Sequence, residues 1–131
     1  MTATARRRSC WILLACLALM VTRAAAQDAV AVTPKVVKVK LENDRVRVLD
    51  YVSNPGDREG WHSHPAMVVH VVTGGTLRIT TPDGKSSEIE FKSGDTLYRA
   101  PITHSTENIG KTQLHAILVE LKAPIAAAPA P

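Results

Sequence analysis

Thr76-Leu77-Arg78-Ile79-Thr80-Thr81, Pro82-Asp83-Gly84-Lys85 and Ser86-Ser87-Glu88-Ile89-Glu90-Phe91 follow one another, and this stretch decides the fold. Both flanks carry apolar residues at every second position, the period of a strand with one wet and one dry face. The Asp-Gly pair between them marks a tight hairpin, because glycine accepts the positive φ such a turn needs. The same pattern continues outward. Toward the N terminus, Gly74-Gly75 closes the β-branched run Met67–Thr73. Asn54-Pro55-Gly56-Asp57 is a turn, and Val36–Leu41 and Arg45–Val52 alternate. Toward the C terminus come the turn Ser93-Gly94-Asp95, the segments Thr96–Arg99, Ser105–Glu107 and Gln113–Leu121, and the turn Asn108-Ile109-Gly110-Lys111. No segment of this body has a long helical period. Short strands at regular spacing predict a single all-β domain, a sandwich or barrel.

The ends of the chain have other characters. Arg6, Arg7 and Arg8 precede an unbroken apolar run from Cys10 to Val21, and Ala24-Ala25-Ala26 supplies small residues before Gln27. This is the layout of a secretory signal peptide over residues 1–26. The apolar run is shorter than the roughly 20 residues a membrane span needs. Cleavage after Ala26 predicts a periplasmic or secreted protein with no membrane attachment. Residues 27–34 read as a loose N-terminal extension, and residues 27–40 as that extension plus a first strand. Residues 123–131, rich in Ala and Pro, read as a disordered tail.

Processing changes the charge. The whole chain is +4, with 16 Lys and Arg against 12 Asp and Glu. Arg6, Arg7, Arg8 and Arg23 leave with the signal and no acid does, so the mature chain is balanced and gives no reason to expect a nucleic-acid partner. Both cysteines, Cys10 and Cys16, leave as well. Disulfides and thiol nucleophiles are thereby excluded from the mature protein.

Chemistry centres on Gly60-Trp61-His62-Ser63-His64-Pro65. Residues i and i+2 of a strand share a face, so His62 and His64 can aim their imidazoles at one point, as a metal ion requires. A third candidate, His104, follows in Pro101-Ile102-Thr103-His104-Ser105-Thr106-Glu107-Asn108.

These residues resemble the cupin superfamily, whose first motif is Gly-x5-His-x-His-x3,4-Glu-x6-Gly and whose second is Gly-x5-Pro-x-Gly-x2-His-x3-Asn. Matching positions here are His62, His64 and Gly75, then His104 and Asn108, with Gly94 and Pro101 nearby. The resemblance covers residues 41–122. Asp83-Gly84-Lys85, Glu107-Asn108-x-Gly110 and Glu120-Leu121-Lys122 are similar to stretches of small single-domain bacterial cupins. It implies a jelly-roll β-barrel (a double-stranded β-helix), a homodimer, and a divalent transition metal (Fe, Mn, Zn, Ni or Cu) on His62, His64 and His104. The sequence departs from the pattern in two places. Val68 stands at the glutamate position, and Arg99 and Pro101 stand where Pro and Gly belong. Three histidines without the carboxylate would leave a site of about +2 that favours an anionic, chelating small molecule.

Other residues are weighed against that site. His70, two residues after Val68, is expected on the same inward face, as a pocket residue, a substitute ligand or a core histidine. It is the nearest candidate for a catalytic base. His115, which shares a face with Ile117, Val119 and Leu121, is expected to be a buried structural or pocket-rim histidine rather than a ligand. Trp61 should point away from its histidine neighbours. Of Tyr98 and Arg99, one should face the cavity, and an inward Arg99 could clamp a carboxylate. Lys38, Lys40, Glu88 and Glu90 read as wet strand faces. Three functions stay open: a non-haem metal-dependent oxygenase, isomerase or lyase; a non-catalytic periplasmic module that binds a small molecule or metal; and a structural barrel.

Overall fold

The computed structural model describes residues 27–123; the expected signal segment and tail residues 124–131 lie outside the described residues. A short helix α1 (Ala29–Val32) precedes β1 (Val37–Glu42), β2 (Val46–Ser53), β3 (Arg58–His64), β4 (Met67–Thr73) and β5 (Gly75–Thr80). The chain continues through β6 (Ser86–Phe91), β7 (Thr96–Arg99), β8 (Ile102–Asn108) and β9 (Leu114–Leu121). A five-stranded sheet has the order β1-β2-β9-β4-β7, and a four-stranded sheet the order β3-β8-β5-β6. Every paired neighbour is antiparallel. The expected all-β architecture is therefore present, as two facing sheets.

The hairpin around Asp83-Gly84 forms as its pattern requires. Thr80 pairs with Ser86 and Gly75 with Phe91. Gly84 takes φ +82°, and Asp83 Oδ1 accepts from Thr81 Oγ1 at 2.5 Å and from the Lys85 amide at 3.2 Å. Alternation also sorts β9, where Leu114, Ala116, Leu118 and Glu120 are buried while the residues between them are partly exposed. The core lies between the sheets, where Leu49, Val71, Met67, Leu118 and Phe91 meet.

Two expectations about organisation are corrected. Residues 27–34 are not loose: Asp28 caps α1 by accepting from the Val30 amide at 2.8 Å, and Ala29 is fully buried. The cap satisfies an otherwise orphan amide of the helix start, and burial of Ala29 fixes the turn to the barrel. The histidine pair ends strand β3, which pairs with β8. That pairing also lengthens β8 beyond the predicted Ser105–Glu107, because β8 is sandwiched between β3 and β5.

Candidate metal centre

His62 and His64 leave β3 on the inward face, and His104 stands directly across from His62 on β8. All three are buried, with one ring nitrogen from each lying within 4.8 Å of the others. The rings meet edge to face, with centroids 4.7–5.5 Å apart.

Hydrogen bonds decide which nitrogen each ring offers. His62 Nδ1 donates to the Gly60 carbonyl at 2.7 Å. His64 Nδ1 donates to Glu120 Oε1 at 2.6 Å, since a carboxylate only accepts. In both rings Nε2 is left with its lone pair directed into the barrel, and His104 Nε2 lies 3.1 Å from His62 Nε2. Orientation of ligating imidazoles through the opposite nitrogen is the usual support of a histidine metal site.

Electrostatics favour neutral imidazoles at His62 and His104, the form that ligates. Burial pushes His104 down to about 3, with His62, His64 and Arg99 adding to the shift. Burial also lowers His62, against a partial upward pull from the Gly60 carbonyl and Glu59. Glu120 is raised by burial, but hydrogen bonds from His64 and Arg47 more than offset this and hold it below its ordinary range. A chain of short contacts runs outward from His64. Glu120 Oε2 takes Arg47 Nε at 2.6 Å, and Arg47 also reaches Asp28 Oδ2 at 2.6 Å. Beside it, the Ser63 amide, between the two ligand-bearing residues, donates to the Gln27 carbonyl at 2.9 Å.

The cavity beside the histidines has a volume of about 210 Å³. Val69, Val71, Leu77, Ile89 and Phe91 supply much of its wall. Arg99 faces inward, opposite Met67 across the β4–β7 ladder, and its guanidinium carbon is 5.8 Å from the centre of the Phe91 ring. Tyr98, its neighbour, is exposed, as is Trp61.

His70 is corrected as a pocket or catalytic candidate. It is exposed, and Nδ1 bonds Thr96 Oγ1 at 2.8 Å on the outside of the sheet. The reason is parity: Met67, Val69 and Val71 are the buried set of β4, so Val68 and His70 share a face, but the outer one. The residue of β4 that lines the cavity near the motif's glutamate position is Val69, which cannot ligate either. His115 is corrected too: it is only partly buried, on the outer face of β9, where it pairs with Asp50 at 2.8 Å away from the cavity rim.

Three buried polar residues beside the site went unnoticed in the sequence: Glu59, Glu120 and Tyr51. Glu120 sits on the buried parity of β9, where an acid is out of place without a partner, and that was a readable signal. Glu59 is three residues before His62, so a regular strand would point it the other way. A bulge intervenes: Glu59 faces Thr106 and His62 faces His104, so β3 uses one residue more than β8 over this interval. Gly60 and Trp61 take up the extra residue on the exposed side. A glycine inside a strand was the available hint.

No family model matches the sequence, and no curated protein matches it. Among solved structures, a cupin domain from Bordetella pertussis Tohama I is 29% identical with a TM-score of 0.62, over 75% of this chain and 97% of that one. The chain belongs to the cupin superfamily. Two more distant structures share the cupin fold. One is a conserved protein with a double-stranded β-helix domain from Klebsiella pneumoniae, at 22% identity and TM-score 0.54, covering 66% of this chain and 75% of that one. The other is an RmlC-like cupin family protein from Methanocaldococcus jannaschii, at 18% identity and TM-score 0.53, covering 66% and 78%. In this cupin, the histidine cluster that could hold a metal is built from both motif regions.

Proposed function

We propose that this cupin is an exported metalloprotein that holds one divalent transition metal on His62, His64 and His104 and takes a small, mostly apolar anion beside it. The observation that carries this reading is the convergence of three buried imidazoles in the wall of a cavity. The donor set fits the group: neutral imidazole suits Zn, Fe, Ni and Cu. When bound, such a metal supplies Lewis acidity or, if redox-active, a binding position for O₂.

The chain's own residues define what else would bind. The aliphatic wall favours an apolar body, and the cavity is smaller than the ~300–1,000 Å³ of drug-sized sites, so the ligand is compact. Arg99 has no ion-pair partner among the described residues, and its inward guanidinium is the group to receive a carboxylate. Turnover would place the protein among metal-dependent oxygenases, isomerases or lyases. The mostly aliphatic wall favours, as a second reading, a periplasmic binding module without turnover. Exposed Val39 and Leu41 on the edge strand β1 support pairing with a second copy.

The test is one preparation. The full chain is exported, recovered from the periplasm and examined by mass spectrometry and light scattering beside the His62→Ala/His104→Ala double variant. The expected result is a chain beginning at Gln27, about one metal per chain that the double variant lacks, and a particle of twice the chain mass. Absence of metal from the wild-type protein, even after reloading, would sink the metalloprotein reading. A monomer mass would remove the dimer, and an uncleaved chain the export. For Arg99→Gln, the metal should stay while the rise in Tm given by short aliphatic or aromatic monocarboxylates disappears. An equal rise in the variant would take Arg99 out of the ligand site.

A further inference from the structure

The sequence pattern leaves the metal with no carboxylate, because β4 offers valine. The barrel holds one from a different strand. Glu59 is 1% exposed at its side chain. Its Oε1 accepts from Tyr51 Oη at 2.6 Å and from Thr106 Oγ1 at 2.5 Å. Its Oε2 has no hydrogen-bond partner among the described residues and lies 3.9 Å from His62 Nε2. From the Glu59 side, then, two hydroxyls from β2 and β8 grip one oxygen and leave the other turned toward the nitrogen that His62 presents to the site.

A buried carboxylate oxygen without a donor or cation is costly, and native proteins rarely leave one so. Arg47 is already shared between Glu120 and Asp28, and Arg99, which lines the same cavity, makes no ion pair with Glu59. We infer that Glu59 is the missing acidic ligand, so that the ion is held by His62, His64, His104 and Glu59. This rests on the three-histidine metal reading above and adds a residue to it.

Geometry agrees. Two atoms each about 2.0–2.2 Å from one ion are separated by about 3 Å when adjacent and about 4.2 Å when opposite. The His62–His104 separation of 3.1 Å and the His62–Glu59 separation of 3.9 Å both fall in that range. The β3 bulge is what makes this possible, since without it Glu59 would face solvent. With Glu59 coordinated, a divalent ion carries a net charge of +1 in the site instead of the +2 expected from the sequence. The anionic preference of the cavity then rests on Arg99 and not on a surplus of metal charge.

The experiment is a titration of the metal-free protein with Co²⁺ and Zn²⁺, read by chelator competition and by the visible Co²⁺ spectrum. It compares wild type, Glu59→Gln and His62→Ala/His104→Ala. Gln keeps the shape and can still accept from both hydroxyls. Expected are one ion per wild-type chain, roughly 10- to 100-fold weaker binding in E59Q with a changed Co²⁺ spectrum, and unchanged or higher Tm of the metal-free variant. Equal affinity and an identical spectrum in E59Q would overturn the Glu59 assignment while leaving the histidine site standing. Wild-type protein that binds no ion, or binding that survives the double histidine variant, would overturn the underlying reading instead. Should E59Q fail to fold, Glu59→Asp keeps the charge but withdraws the oxygen by one carbon. Wild-type affinity and spectrum in that variant would likewise overturn the assignment.

Discussion

Glu120→Ala should cost the metal-free protein about 3–5 kcal/mol of folding free energy, the scale for removing one member of a buried ion pair. Glu120 is 1% exposed and touches two partners at once, His64 Nδ1 and Arg47 Nε, each at 2.6 Å. Alanine removes the acceptor of both. Arg47, largely buried, keeps only Asp28, and the His64 Nδ1–H is left without a partner. A typical domain has only about 5–15 kcal/mol in total, so the variant should sit near the edge of folding. Urea unfolding of wild type and variant at pH 7 measures this. A loss under about 1 kcal/mol would mean that water reaches the pair and that it behaves as a surface salt bridge. In the same variant His64 loses the contact that fixes its ring, and metal affinity should fall roughly 10- to 100-fold.

Mild acid should destabilise the metal-free protein almost as strongly. His104 is held near 3 in the folded chain against an ordinary 6.5, chiefly by burial. Between those values the unfolded chain binds a proton that the native chain refuses, so stability falls as pH falls. The loss begins near pH 6.5 and levels off near 3. Its slope is about 1.4 kcal/mol per pH unit, or about 2 kcal/mol by pH 5 from this residue alone. Glu120 acts in the same direction lower down: held below its ordinary 4.5, it contributes stability above that pH and loses it as the carboxyl protonates. Urea midpoints of metal-free protein at pH 7 and pH 5 give the test, with His104→Gln as the control that should flatten the profile. Equal pH dependence in the variant would assign the acid sensitivity to other groups.

How much of this was legible follows from what kind of information a strand carries. Period-two alternation and the Asp83-Gly84 turn yield the β6 hairpin and most of the strand list, because those signals are local. The pairing of His62 with His64 is also local, and His104 could be joined to them through the motif resemblance. What failed was parity across an irregularity. Val68 and His70 were assigned to the cavity by counting from His64, but Pro65 and Ala66 separate β3 from β4, so the count does not carry over. Glu59 was lost to the opposite error, a bulge that turns an outward position inward. Glu120 belongs to the far sheet, and nothing near it in the chain announces His64. Tyr51 is likewise a cross-strand partner, visible only once β2 and β3 face each other over Glu59.

The supports of His64 lie close to both ends of the folded body. Asp28 and Gln27 reach the ligand strand from the N-terminal side, and Glu120 stands two residues before Lys122, whose amide is tied to the Arg45 carbonyl at 2.9 Å. In mechanical terms, a pull applied between the chain ends loads the Asp28–Arg47–Glu120 link and the Gln27–Ser63 bond before it reaches Leu49 or Val71 in the core. The centre is thus the clasp of the barrel, and a bound ion would act there as a rivet. A tether or fusion joined upstream of Gln27 would leave from beside the strand that carries His62 and His64.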